Sequence, residues 1–159
     1  SITTGDNPNS LQADKEGNIW VASDGNEVYK SDFSIDEAKS TKGSISKITS
    51  ANTEAKRFTV DHVTYSGPAN LGVSSEGTQI YYTYDGAVYS MSTTATALPA
   101  TPFKSKSYYG LAIDPFNGNV IGCNAGNFSS AGSIDVYDAT GALLNTFTVG
   151  IAQNGCAFK

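Results

Sequence analysis

Apolar positions in this chain fall in short runs, each closed by a polar turn built on Gly, Asn, Asp or Ser. Three segments share one layout. Pro8-Asn9-Ser10-Leu11-Gln12-Ala13-Asp14 leads into Gly17-Asn18-Ile19-Trp20-Val21-Ala22, and Pro68-Ala69-Asn70-Leu71-Gly72-Val73-Ser74 leads into Gly77-Thr78-Gln79-Ile80-Tyr81-Tyr82. Tyr109-Gly110-Leu111-Ala112-Ile113-Asp114 leads into Gly118-Asn119-Val120-Ile121-Gly122. Each reads as a strand, a Gly-containing turn and a second strand. A fourth copy opens at Asn154-Gly155-Cys156-Ala157-Phe158-Lys159.

The second half of the unit repeats as well. Gly43-Ser44-Ile45, Gly86-Ala87-Val88 and Gly132-Ser133-Ile134 open three matching strands. Phe58-Thr59-Val60 and Phe147-Thr148-Val149 follow the first and third, and Phe103 takes that place in the second. Each unit therefore holds four strands, A to D. Successive units start at Leu11, Leu71, Leu111 and Cys156, intervals of 60, 40 and 45.

Four short strands per period of about 40–45 residues mark a β-propeller blade. A four-stranded meander has two apolar faces and hides both only when blades lean on one another around an axis. The sequence thus predicts an all-β fold, a β-propeller fragment forming one domain over residues 1–159. Blades are expected at about 8–62, 67–104 and 108–150, followed by an inner strand at 154–159. Strand A should line the crowded centre through Leu11 and Ala13, Leu71 and Val73, and Leu111 and Ile113. Trp20, Tyr81, Ile121 and the Phe58, Phe103 and Phe147 series should fill the space between blades. The first unit is long because some twenty residues, Ser23 to Lys42, separate its strands B and C; they read as irregular, and loops of that length are usually functional or mobile.

Composition narrows the function. Charged residues are only 16% against 39% hydrophobic, so the chain buries a core rather than remaining disordered. A net charge of −5, with Lys and Arg sparse, argues against nucleic acid as a partner. No apolar run reaches transmembrane length, and Ser1-Ile2-Thr3-Thr4 has neither the charged nor the apolar region of a signal peptide. Three blades and a strand do not close a ring, since propellers have about four or more blades. The remaining blades are expected from the same chain or a second one; an open stack covered by partners is the third possibility.

The phrase Asp14-Lys15-Glu16-Gly17-Asn18-Ile19-Trp20-Val21-Ala22 resembles the blades of the six-bladed streptogramin-lyase and lactonase group and of NHL-type repeats. The stretch Gly132-Ser133-Ile134-Asp135-Val136-Tyr137-Asp138-Ala139-Thr140-Gly141, followed by Phe147 to Phe158, resembles the YncE-like propellers. More narrowly, it is similar to the Bacteroidetes surface lipoproteins whose best-known members capture cobalamin. The resemblance runs blade by blade along the whole chain and covers about half of a complete member. It implies a bacterial protein at the cell surface, outside the cell or in the periplasm, to which the Ser/Thr/Asn-rich composition also inclines.

Candidate catalytic chemistry is thin. Asp14 and Asp114, with Ser74 in register, sit where a side chain closes the A–B turn by accepting backbone N–H groups. No calcium loop of the Asp-x-Asp-x-Asp-Gly type occurs, and Gly122-Cys123-Asn124-Ala125-Gly126 lacks the lysine and helix of a phosphate loop. His62 is the one histidine, too few for a zinc site, and reads as a loop or surface residue. Cys156 reads as a buried core thiol, with a Cys123–Cys156 disulfide as the alternative. No metal or other cofactor is expected.

Binding is the better-supported expectation. The D–A and B–C connections of a propeller emerge on one face, and here they concentrate Tyr and Asn: Tyr65, Asn70, Tyr84, Tyr108, Tyr109, Asn124, Phe128 and Asn154. Tyr offers rigid area with a hydroxyl, and Asn both donates and accepts. A non-enzymatic module taking a small molecule, glycan or protein on that face is expected. The alternative is a metal-dependent lactonase or lyase of the six-bladed type. That enzyme needs carboxylate and amide ligands at the axis; Asn70 and Asn154 precede equivalent strand A positions, but no Glu joins them.

Overall fold

A computed structural model describes residues 1–61 and 67–159. It holds three antiparallel sheets and, among the described residues, no helix. Blade 1 comprises β1 (Pro8–Ala13), β2 (Ile19–Ser23), β3 (Ser44–Ile48) and β4 (Glu54–Thr59), hydrogen-bonded in chain order. Blade 2 comprises β5 (Ala69–Val73), β6 (Gln79–Tyr84) and β7 (Ala87–Ser92). Blade 3 comprises β8 (Gly110–Ile113), β9 (Val120–Asn124), β10 (Ser133–Tyr137) and β11 (Leu143–Thr148). The inner strands β1, β5 and β8 neighbour one another in that sequence, as in a propeller sector.

The turns explain the meander. Asp14 Oδ1 accepts the backbone N–H of Glu16 and Asn18 at 2.9 Å each, and Oδ2 accepts the Trp20 indole N–H at 2.9 Å. Ser74 Oγ accepts Thr78 N–H and Gln79 N–H in the corresponding turn of blade 2. Strands β6 and β7 are joined by Asp85-Gly86, with φ of 46° and 72°; two left-handed residues in a two-residue hairpin turn suit Asp-Gly.

Packing between blades follows the repeat. Trp20, Ala22, Ile45 and Phe58 of blade 1 meet Leu71, Ile80, Tyr82 and Met91 of blade 2. Tyr81 and Val88 of blade 2 meet Tyr108, Val120 and Tyr137 beyond them. Each cluster is apolar area removed from water on both blades, at roughly 25 cal/mol per Å². Polar bridges set the register: Leu71 N–H donates to Ser10 Oγ at 3.0 Å, and Lys47 Nζ donates to the Thr93 carbonyl at 2.9 Å.

Several expectations need correction. The second blade has three strands, and its strand D position is held by a single bridge between Val88 and Lys104. Pro99 and Pro102 precede that bridge, and proline cannot donate to a ladder. Residues 154–159 form no strand, because a strand exists through a ladder and none of the described strands pairs with them. Leu11 is 65% exposed whereas Leu71 is 4%: the centre is crowded at blade 2 and open at blade 1. Phe147 is likewise 50% exposed, although its counterpart Phe58 is 5% exposed and stacked on Trp20. Both phenylalanines face an isoleucine across the ladder, Ile45 and Ile134, but only blade 1 has a neighbour on that side. The 23–42 insertion is irregular as expected, tied by single bridges Asn26–Thr41 and Tyr29–Ile35.

Candidate functional site

The loop ends of blades 1 and 2 and the approach to blade 3 enclose a cleft of about 330 Å³. Asp24 reaches it from the B–C connection of blade 1, and Tyr84, Asp85 and Gly86 from the corresponding turn of blade 2. Asn70 and Ala69 enter from the start of β5, and Ser107, Tyr108 and Tyr109 from the segment before β8. Four of the residues singled out from sequence, Asn70, Tyr84, Tyr108 and Tyr109, thus line one concavity.

Asn70 is placed by a bulge. The β5–β6 register shifts between Ala69 and Gly72, and Asn70 takes φ of 51°, a left-handed value that Asn tolerates better than most residues. Its amide donates to Thr83 Oγ1 at 3.0 Å, and that hydroxyl donates to the Ala69 carbonyl at 3.2 Å. The Asn70 carbonyl oxygen therefore points from a fixed side chain. Across the blade boundary, Asp24 Oδ1 accepts Asn9 Nδ2 at 2.8 Å, and the same amide donates to the Pro68 carbonyl at 3.0 Å. Asn9 and Thr83 are positioning residues that the sequence reading missed; both are ordinary polar strand residues without a local signal.

The adjacent tyrosines divide their work. Tyr109 is 49% exposed and meets Phe128 edge-on at 5.0 Å between ring centroids, extending the aromatic surface onto the B–C loop of blade 3. Tyr108 is 7% exposed, and a Cβ added at Gly122 would lie 2.5 Å from its ring. Its hydroxyl donates to Asp135 Oδ2 at 2.7 Å and lies 2.6 Å from the Tyr137 hydroxyl. Lys106 Nζ pairs with Asp135 Oδ2, and Thr146 Oγ1 donates to Oδ1 at 2.8 Å. Burial raises the Asp135 pKa, but Lys106, Tyr108 and Thr146 outweigh it and hold the carboxyl below its ordinary value. Burial, and then the bonds to Asp135 and Tyr137, drive the Tyr108 phenol far upward, so it stays protonated. Tyr108 therefore supplies wall and rigidity, not a free hydroxyl.

Asn124 and Asn154 lie apart from the cleft. Asn124, at the end of β9, accepts Gly126 N–H through its side chain at 3.0 Å and Gln153 through its carbonyl. Asn154 is exposed, with its carbonyl against Gly110. Tyr65 and His62 lie outside the described residues. Among the described residues, no group of three or more His, Cys, Asp or Glu is placed to hold a metal ion. No helix among them is long and apolar enough to cross a membrane.

A larger groove, about 560 Å³, runs along the rim between blades 1 and 2 past Phe58, Tyr82, Tyr89 and Leu98. It opens where blade 2 lacks a full fourth strand, and it shares Tyr84 and Asp85 with the cleft. The cleft, built from loop ends of three blades, is the better candidate because it combines fixed polar groups with exposed aromatic area.

No family model and no curated protein matches the chain. Among solved structures it is similar to a quinonprotein alcohol dehydrogenase-like protein from Bacteroides thetaiotaomicron, with a TM-score of 0.63 and 20% identity. The match covers 88% of this chain and 33% of that one, so the chain spans about a third of its length. That neighbour is propeller-like, and the similarity supports a propeller fold for this chain.

Proposed function

We propose that this chain is part of a non-enzymatic binding propeller, acting at a bacterial cell surface, outside the cell or in the periplasm. Its ligand is a small molecule, glycan or protein segment that enters the loop-face cleft. The observation that carries the reading is the convergence of Asn70, Tyr84 and Tyr109 on one 330 Å³ concavity. Asn70 offers an oriented acceptor, Tyr109 an exposed ring backed by Phe128, and Asp24 and Asp85 acceptors for hydroxyl or amine donors. The YncE-like and surface-lipoprotein resemblance of the Gly132–Phe158 stretch supports the same reading. Further blades, from the same or a second chain, complete the ring by covering Phe147 and Ile134; the exposed phenylalanine supports this.

Saturation-transfer NMR against a panel of soluble mono- and oligosaccharides and small polar metabolites tests the proposal. A binder whose signal falls at least about tenfold in affinity, on the order of 1.4 kcal/mol, in Tyr109→Ala and Asn70→Ala is the expected result. Binding unaffected by both changes would remove the cleft from the account. A stoichiometric divalent ion lost on Asn70→Ala would replace the reading with the metal-dependent lactonase or lyase.

A further inference from the structure

The segment after β11 turns back across blade 3 and is fastened there. Val149 N–H donates to the Gly132 carbonyl at 3.0 Å, and Gly132 N–H donates to the Gly150 carbonyl at 3.1 Å. The Gln153 side-chain amide then donates to the carbonyls of Asn124 and Ser133, at the loop ends of β9 and β10. The next residue lies on the inner strand: a Cβ added at Gly110 would lie 2.1 Å from the Asn154 carbonyl oxygen. Gly110 pairs across the ladder with Cys123. Two residues beyond Asn154 comes Cys156, so the segment passes over the face of blade 3 that Gly110 shares with Cys123, and the Cys156 thiol lies near enough to act on the ionisation of Cys123. Both cysteines are free, Cys123 fully buried and Cys156 partly accessible. They are the only two in the chain.

We propose that Cys123 and Cys156 form a reversible disulfide that fastens the 153–158 segment to the middle of blade 3, with a low-molecular-weight disulfide such as oxidised glutathione as electron acceptor. The accessible Cys156 thiolate attacks one sulfur of the oxidant, giving a Cys156–glutathione mixed disulfide and releasing one glutathione thiolate. The Cys123 thiolate then attacks the Cys156 sulfur, forming the internal bond and releasing the second glutathione. One S–S bond forms and one breaks; two electrons pass to the oxidant, and the protons of the two cysteines pass to the two glutathiones. The order follows from burial. Desolvation, with Cys156 beside it, pushes the Cys123 thiol up to about 12, so little of it is thiolate and its accessible partner attacks first. Exclusion from water protects the completed bond in turn. The bond joins β9 of blade 3 to the segment that follows β11, holding that segment against the blade. It is independent of the binding proposal, because neither cysteine lines the loop-face cleft.

The test equilibrates the native chain with oxidised and reduced glutathione, quenches with iodoacetamide and reads intact mass. No Lys or Arg lies between the cysteines, so trypsin leaves both in one peptide; cleavage at Asp135 and Asp138 separates them. The expected product is lighter by two hydrogens, carries no carbamidomethyl group, and yields a Cys123–Cys156 linked peptide that reductant splits. Cys123→Ser is expected to stop at a stable glutathione adduct on Cys156, and Cys156→Ser to resist modification while folded. A wild-type chain that keeps two alkylatable thiols in excess oxidised glutathione, or that accumulates the Cys156 adduct without closing it, overturns the proposal. The wild-type peptide map decides the matter even if a variant fails to fold.

Discussion

Replacing Asp14 by Ala tests how a single carboxylate holds a blade together. Asp14 is buried at the end of β1, and its two oxygens accept two backbone N–H groups, the Asn18 amide and the Trp20 indole. The indole N–H is fully buried, and losing its acceptor costs about 1–3 kcal/mol; the two turn amides add about 0.5–1 kcal/mol each. Asp14→Ala should therefore destabilise by about 2–5 kcal/mol. Urea denaturation followed by the fluorescence of Trp20, the one tryptophan, reads this at the site itself.

Acid titration should show the same carboxylate through the pH dependence of stability. Burial raises the Asp14 pKa, but the bonds from Trp20, Asn18 and Glu16 outweigh it and hold the value below the ordinary 3.8. A lowered folded-state pKa means that the stabilisation is complete above the unfolded value and is lost as pH falls through the folded one. Asp14→Asn keeps one carbonyl oxygen and cannot ionise. Its stability deficit against wild type should be constant near neutrality and shrink below about pH 4. Glu54 and Asp135, also held low, are present in both proteins and cancel. A loss under about 0.5 kcal/mol for Asp14→Ala, or a deficit in Asp14→Asn that ignores pH, would refute the argument.

Two further perturbations probe the blade boundaries. Phe58→Ala should cost about 3–5 kcal/mol, the usual loss for a buried phenylalanine, whereas Phe147→Ala at the equivalent position should cost under about 1 kcal/mol. Paired urea midpoints check this, and equal losses would mean that blade 3 is covered in solution. Gly122→Ala puts a methyl group 2.5 Å from the Tyr108 ring, and should cost about 1–3 kcal/mol with a fall in melting temperature; a neutral change would show that Tyr108 does not pack there.

Much of this was legible in the sequence because its signals are local. The A–B turns follow from Asp14 or Ser74 standing before a Gly-containing loop, and the blade count follows from recurrence. The gathering of Asn70, Tyr84 and Tyr109 followed from topology, since B–C and D–A connections share an end of the stack. What was hidden depends on distant neighbours. Tyr108 and Tyr109 are adjacent identical residues, and Gly122, on the neighbouring strand β9, opens the hole that takes one of them. Leu11 and Leu71 are equivalent in the repeat, yet only Leu71 has a blade on each side. The missing fourth strand of blade 2 had a local signal in Pro99 and Pro102, which the repeat pattern overshadowed.

The stacking of blade 1 against blade 2 supports everything else, the cleft included. Met91 is the one methionine and sits in the same buried cluster as Trp20 and Phe58. Nuclear Overhauser spectra of a methionine-methyl-labelled chain should show cross-peaks from Met91 to the Trp20 or Phe58 ring of the other blade. A Met91 methyl that contacts only residues of its own sheet would contradict the propeller arrangement.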